Sequence, residues 1–360
     1  MNKTNLKVTP AAIFIFFMQL LYAAASSEVS QSEVYIFIWI GGYLIAGIMA
    51  VLACFISSIN LSQIIKISFV GILMIVTALS SAGRELALLV LYWIILKNSN
   101  QDQLIKTFFC ADILALYFNA LLALVGVYHI FDDSGNLILG FLNPNFLGLF
   151  VFDIVLLLIV QNDKKQNLKN FSIIMIAALL CWKYINCRSA ALAIVILVVL
   201  SLMRGILEGN KLFLLGVKYS YVILSGLSIA LGKIGVSNAI LMTIDKVLSG
   251  RIIAWNVYFQ NKPITLLGTL FYARDFYPLD NAYLWLLFRY GVIVFVIYAV
   301  ANYLVSKKAI EQKMYNMQIV ILALAFYSLM EFSPMSVFNH IGLALLTAKS
   351  TNASVQRKIE

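Results

Sequence analysis

The chain has 360 residues, 62% of them hydrophobic and only 12% charged, with a mean hydropathy of +0.93. No soluble domain needs that much apolar surface, so composition excludes a soluble globular enzyme. It indicates an all-α polytopic membrane protein, with residues 1–360 forming a single integral membrane domain. The formal charge of +10 does not signal nucleic acid, because the basic residues sit in short linkers between apolar runs.

The first apolar run covers 10–26. Lys3 and Lys7 precede it and Ala23-Ala24-Ala25 ends it, the pattern of a signal peptide. Uncleaved first spans share that pattern, and retention is the expectation. Further runs able to cross a ~30 Å hydrocarbon core lie at 34–57, 107–128, 144–160, 171–186, 189–203, 212–231 and 281–305. Shorter ones lie at 64–80, 84–97, 316–330 and 335–348. Counting all of them predicts about 12 transmembrane helices.

Lysine and arginine set the orientation. Lys66, Lys97, Lys106, Lys164, Lys165, Lys169, Arg204, Lys211, Lys307, Lys308 and Lys313 fall in alternate linkers, whereas Ser26–Glu33 and His129–Asn143 contain no lysine. The positive-inside rule then places both termini in the cytoplasm. It leaves 232–280 as one long extracytoplasmic loop.

That loop is too aromatic for a disordered linker, with Trp255, Tyr258, Phe259, Phe271, Tyr272, Phe276 and Tyr277. Ile240, Ile244, Val247, Leu248, Trp255, Tyr258 and Phe259 recur at helical spacing, predicting a helix that Ser237 or Asn238 caps. Arg251 shares their face. A guanidinium on an apolar stripe is costly to desolvate without an anion, and its planar fork suits phosphate. The alternatives are snorkelling or a salt bridge to Asp245.

Other polar residues cluster at the same predicted surface. Arg188 tops the tight connection between two spans, where it is either a functional cation or an interfacial anchor. Asp280 and Asn281 precede Ala282-Tyr283-Leu284, an ordinary N-cap position, and Arg289 lies nine residues beyond Asp280. Asn143-Pro144-Asn145 is a turn and N-cap signal, and its two amides also suit sugar hydroxyls. Asp112 and Asp153 fall inside spans, a transporter-like feature. Cys54, Cys110, Cys181 and Cys187 have neither disulfide-framework nor metal spacing, and His129 and His340 are far apart, so no metal or cofactor is expected.

Four pieces in order resemble the O-antigen polymerase and O-antigen ligase superfamily of bacterial envelope glycan enzymes. They are Gly140-Phe-Leu-Asn143-Pro144-Asn145 with Gly148; Cys187-Arg188-Ser189-Ala190; Ser249-Gly250-Arg251 through Trp255; and Leu267-Gly268 followed by Asp280-Asn281-Ala282-Tyr283-Leu284 through Arg289-Tyr290-Gly291. The resemblance covers roughly residues 130–305. Ligases of this superfamily have a histidine where Asp280 stands, which favours the polymerase branch.

The resemblance implies a GT-C-like fold in the cytoplasmic (inner) membrane and a metal-independent glycosyltransferase. The donor and acceptor would be oligosaccharides on undecaprenyl pyrophosphate, with a chain-length regulator protein as a possible partner. Arg188 and Arg251 would stabilise the departing diphosphate and Asp280 would take the acceptor proton. Asn143, Asn145, Trp255, Asn281 and Arg289 would bind substrate. The competing expectations are a flippase for lipid-linked sugars and an O-antigen ligase.

Overall fold

The computed structural model describes residues 9–56, 100–161, 168–269 and 278–332. The runs at 64–80, 84–97 and 335–348 lie outside the described residues, as do Phe271, Tyr272, Phe276, Tyr277 and His340. Among the described residues all regular structure is helical. The helices are α1 (Pro10–Ala25), α2 (Val34–Ile56), α3 (Gln101–Leu124), α4 (Pro144–Gln161), α5 (Leu168–Lys183), α6 (Arg188–Leu202), the single turn α7 (Arg204–Leu207) and α8 (Lys211–Ile234). They continue with α9 (Ala239–Val247), α10 (Arg251–Asn261), α11 (Ala282–Trp285), α12 (Gly291–Glu311) and α13 (Tyr315–Met330), and a π-helical turn, Leu286–Tyr290, joins α11 to α12.

Four of these stretches are long and apolar enough to cross a membrane: Gln101–Leu124, Pro144–Gln161, Lys211–Ile234 and Ala282–Glu311. The 24 residues of α3 or α8 extend about 36 Å at the helical rise. Shorter apolar helices, α1, α5, α6 and α13, pack beside them. The helix starts come from local chemistry. Asn100, Asn143, Asn210, Asn238 and Asn281 each accept a backbone N–H from the first turn of the next helix. The cap at Asn100 starts α3 earlier than the apolar run at 107–128 alone predicts.

The core runs between α4, α6 and α13. Phe150, Phe152, Leu156, Ile194, Leu197, Ile319, Val320 and Tyr327 are fully buried there. Ile36, Phe37, Leu44, Leu179, Trp182, Val222, Ile223, Val296 and Ile297 point outward and exposed. Apolar surface on that scale matches a lipid environment better than water.

Hydrogen bonds between helix ends gather those ends into two sets. At one end the Tyr315 hydroxyl donates to the Leu200 carbonyl (2.9 Å) and Asn316 to that of Ile159 (2.9 Å). At the other, Leu142 N–H donates to the Ser26 carbonyl (2.9 Å), and Ser189 reaches Glu331 (2.7 Å). This second set, the site end, carries most of the residues singled out from the sequence.

The long loop differs from the single helix its periodicity predicts. The chain turns at Ser249 (φ 58°) and Gly250 (φ 81°), so α9 and α10 are separate helices. Ile240 and Ile244 on α9 are exposed, whereas Ile252, Trp255 and Tyr258 on α10 are fully buried. The apolar stripe therefore does not run through Arg251 as one face. The α10 side chains pack on Leu279, Leu284, Leu287 and Phe288. Burial of each such large side chain contributes about 1.5–3 kcal/mol, so α10 belongs to the bundle rather than hanging over it.

Gly291, at φ 82°, breaks the helical path at the end of the π turn. Its backbone meets that of Leu266 and Gly268, in the strap after α10, so closely that a Cβ on Gly291 would lie 2.3 Å from the Gly268 nitrogen. The strap satisfies the freed groups: Val292 N–H bonds Thr265 (3.0 Å), Ile293 N–H bonds Leu266 (3.2 Å) and Thr269 N–H bonds Phe288 (3.0 Å). Non-helical backbone is tolerated at membrane depth only where protein supplies such partners.

Candidate functional site

Arg251 opens α10, directly after the left-handed Gly250. Asp245, its alternative partner on sequence grounds, is otherwise engaged. The Asp245 carboxylate accepts the N–H groups of Ile252 (2.7 Å) and Ile253 (3.3 Å), capping α10 from the preceding helix. Arg251 reaches instead to the end of α13. Nη1 donates to the Met330 carbonyl, and Nη2 lies 3.0 Å from Glu331 Oε1 and 4.0 Å from Asp280 Oδ2. A cation at a helix C-terminus is favourably placed against the helix dipole.

Glu331 is the centre of this arrangement. Its side chain is 3% exposed, against 18% for Arg251 and 27% for Asp280. Oε1 also accepts from Ser189 Oγ at 2.7 Å, and that hydroxyl lies 3.4 Å from Cys187 Sγ. One guanidinium thus faces two carboxylates in a partly dry pocket. Burial lifts the Glu331 carboxyl to about 7; Arg251 opposes the shift and the Asp280 charge adds to it. Burial also raises Asp280 against the pull of Arg251. Burial and the repulsion between the two carboxylates both favour the protonated form of Glu331, and Arg251 opposes them. Cys187 is no ready nucleophile, since burial pushes its thiol up to about 11.

The remaining sequence candidates fall around this pocket in different ways. Arg188 is the exposed first residue of α6, next in the chain to Ser189. Arg289 lies in the π turn, with its guanidinium 5.1 Å from the Trp285 ring; that ring packs 5.0 Å from Phe332, the neighbour of Glu331. Asn281 is fully buried. Its amide donates to Ser228 Oγ (3.0 Å) and the Leu329 carbonyl (3.1 Å), and its oxygen caps α11 through Leu284 N–H (3.0 Å). Asn143 is an exposed N-cap of α4, and Asn145 is half-buried one position beyond Pro144. Trp255 is wholly buried and presents no ring face to a ligand in this arrangement. Asp112, within α3, accepts from Gln19 Nε2 at 2.5 Å.

The motif pieces meet through glycine contacts. Gly148 on α4 lies against Cys187, so closely that a Cβ there would come within 2.5 Å of the sulfur. Ser189 connects to Glu331 and so to Arg251, and Gly268 interlocks with Arg289 and Gly291. Neither a family model, nor a curated protein, nor a solved structure matches this chain. The functional reading therefore rests on the geometry of the site itself.

Sequence reasoning missed Glu331 and Ser189 as members of the site. A signal existed for Glu331. It comes directly after an apolar run ending a helix, where a carboxylate opposes the dipole unless a cation compensates.

Proposed function

We propose that this chain is a surface-polysaccharide polymerase of the O-antigen type. It transfers a growing glycan from undecaprenyl pyrophosphate to the end of a fresh lipid-linked repeat unit. On this reading about 12 helices form a GT-C-like bundle in the cytoplasmic membrane, both termini are cytoplasmic, and the site end faces outward. The observation that supports it is the convergence of Arg251, Asp280 and Glu331 at one mouth, beside the α5–α6 connection that carries Arg188.

The chemistry comes from charge. Transfer from a pyrophosphate needs the leaving group's developing charge balanced, which guanidinium groups do from fixed positions. Arg251 supplies one such group and Arg188 a second from the rim. The attacking hydroxyl needs a proton acceptor, and the Asp280–Glu331 pair supplies a carboxylate for it. Asn281 holds α11 in place beneath Asp280 and acts through position alone.

The test is Arg188→Ala and Arg251→Ala in the native host. Each variant should reach the membrane in normal amount and lose long-chain glycan on a silver-stained gel. A normal ladder from both would refute their role. A lipid-linked sugar flippase would instead leave repeat units trapped on the cytoplasmic face, which protease-free spheroplast labelling distinguishes.

A further inference from the structure

The pocket as it stands is occupied by its own carboxylates. Arg251 uses one nitrogen on the Met330 carbonyl and another on Glu331, with Asp280 at 4.0 Å. Two carboxylates against one guanidinium repel a diphosphate rather than attract it. For Arg251 to hold a phosphate, one carboxylate has to leave it or take up a proton.

Glu331 is the carboxylate in the way: of the two, it is the one within hydrogen-bond distance of the guanidinium, whereas Asp280 stands back at 4.0 Å. Its contact with Arg251 is a single Nη2–Oε1 bond of 3.0 Å, not the paired fork a guanidinium can form. A diphosphate offers oxygens for that fork and so competes well. Ser189 Oγ, at 2.7 Å from the same Oε1, can keep the displaced carboxylate hydrogen-bonded. Arg251 is 18% exposed and therefore reachable from the mouth.

Resting on the polymerase reading, we infer that Glu331 is a latch: it occupies Arg251 in the empty site, and a diphosphate ligand displaces it. Idle Arg251 is thereby held in place without a bound anion, and only a ligand with two or more acidic oxygens opens the site. The groups facing Glu331 are Arg251 from α10, Asp280 before α11, Cys187 at the start of α6 and Tyr327 on α13. Of these, burial together with Asp280 favours the protonated form of Glu331, which weakens the latch at lower pH.

Inorganic pyrophosphate binding to the purified full-length protein in nanodiscs, measured by calorimetry, tests this. Losing one charge-assisted bond to a competing group predicts that Glu331→Gln binds pyrophosphate about tenfold more tightly than wild type at pH 8. The ratio between the two proteins should shrink towards one at pH 6, and comparing them cancels the ligand's own ionisation. Equal or weaker binding by Glu331→Gln, with binding still lost in Arg251→Ala, overturns the latch and leaves the arginine site standing. Wild-type-like binding by Arg251→Ala overturns the latch and the anion site together. Where the glutamine variant does not fold, Glu331→Asp serves. It keeps the charge but retracts it by one methylene, and should tighten binding several-fold.

Discussion

Replacing Asn281 with alanine separates a structural asparagine from a substrate-binding one. Three bonds are lost together. The cap on Leu284 N–H contributes about 1 kcal/mol, and the two donated bonds, to Ser228 and to the Leu329 carbonyl, about 0.6 kcal/mol each when they join helices within a membrane. The total is about 2 kcal/mol; Ser228 keeps its own bond to the Leu224 carbonyl (2.8 Å) and adds no further penalty. Because the residue is fully buried, no water is at hand to replace the partners. Asn281→Asp keeps an acceptor for Leu284 N–H but loses both donors and buries a charge beside Asp280, so it should destabilise at least as much. Thermal unfolding of the detergent-purified variants, monitored by size-exclusion fluorescence, reads this directly. Polymer loss by Asn281→Ala with wild-type thermal stability would refute the structural account and return the residue to the substrate.

Two more outcomes arise from particular contacts. Gly291→Ala should prevent accumulation of folded protein, because its Cβ would meet the strap backbone at 2.3–2.6 Å in a conformation, φ 82°, that L side chains avoid. Gly226→Ala on α8, with nothing within 4 Å, should accumulate normally, and equal yields of the two as fluorescent fusions would contradict the broken-helix arrangement. For pH, the raised Glu331 carboxyl holds its proton in the folded state above its ordinary 4.5 and up to about 7. Its contribution to stability is therefore complete below about pH 4.5 and lost as pH rises through 7. The Tm of wild type should fall relative to that of Glu331→Gln between pH 5 and pH 8, and a constant difference across that range would contradict the shift.

Local signals account for the parts of the fold legible in the chain. Apolar runs locate α1, α2, α4, α5, α6, α8 and α13 within a few residues, because length and hydropathy leave little choice once a segment must satisfy its own backbone, whereas the run at 281–305 merges α11, the π turn and most of α12. Asparagine caps are equally visible, Asn238 and Asn281 among them. The split between α9 and α10 is not. Ile240 through Phe259 keep helical spacing on paper, but Ser249-Gly250 allows left-handed backbone, and Asp245 rewards the break by capping α10. Periodicity counts apolar residues and is blind to a carboxylate positioned to collect two N–H groups from the next helix.

The site shows the same division. Arg251 and Asp280 are visible because a charge on an apolar stripe and a charge beside a cap each demand a partner. The partner itself, Glu331, stands 80 residues from Arg251 and lies next to it only because α13 ends where α10 begins. Nearby, Gly291 and Gly268 interlock the strap with the broken helix. The strap is thereby tied to the π turn that directly follows α11. The glycines of the last motif therefore let two backbones touch where any side chain would hold them apart. Motifs that look independent along the chain are parts of one construction, and a substitution at Gly268 should disturb the Arg251 pocket without touching it.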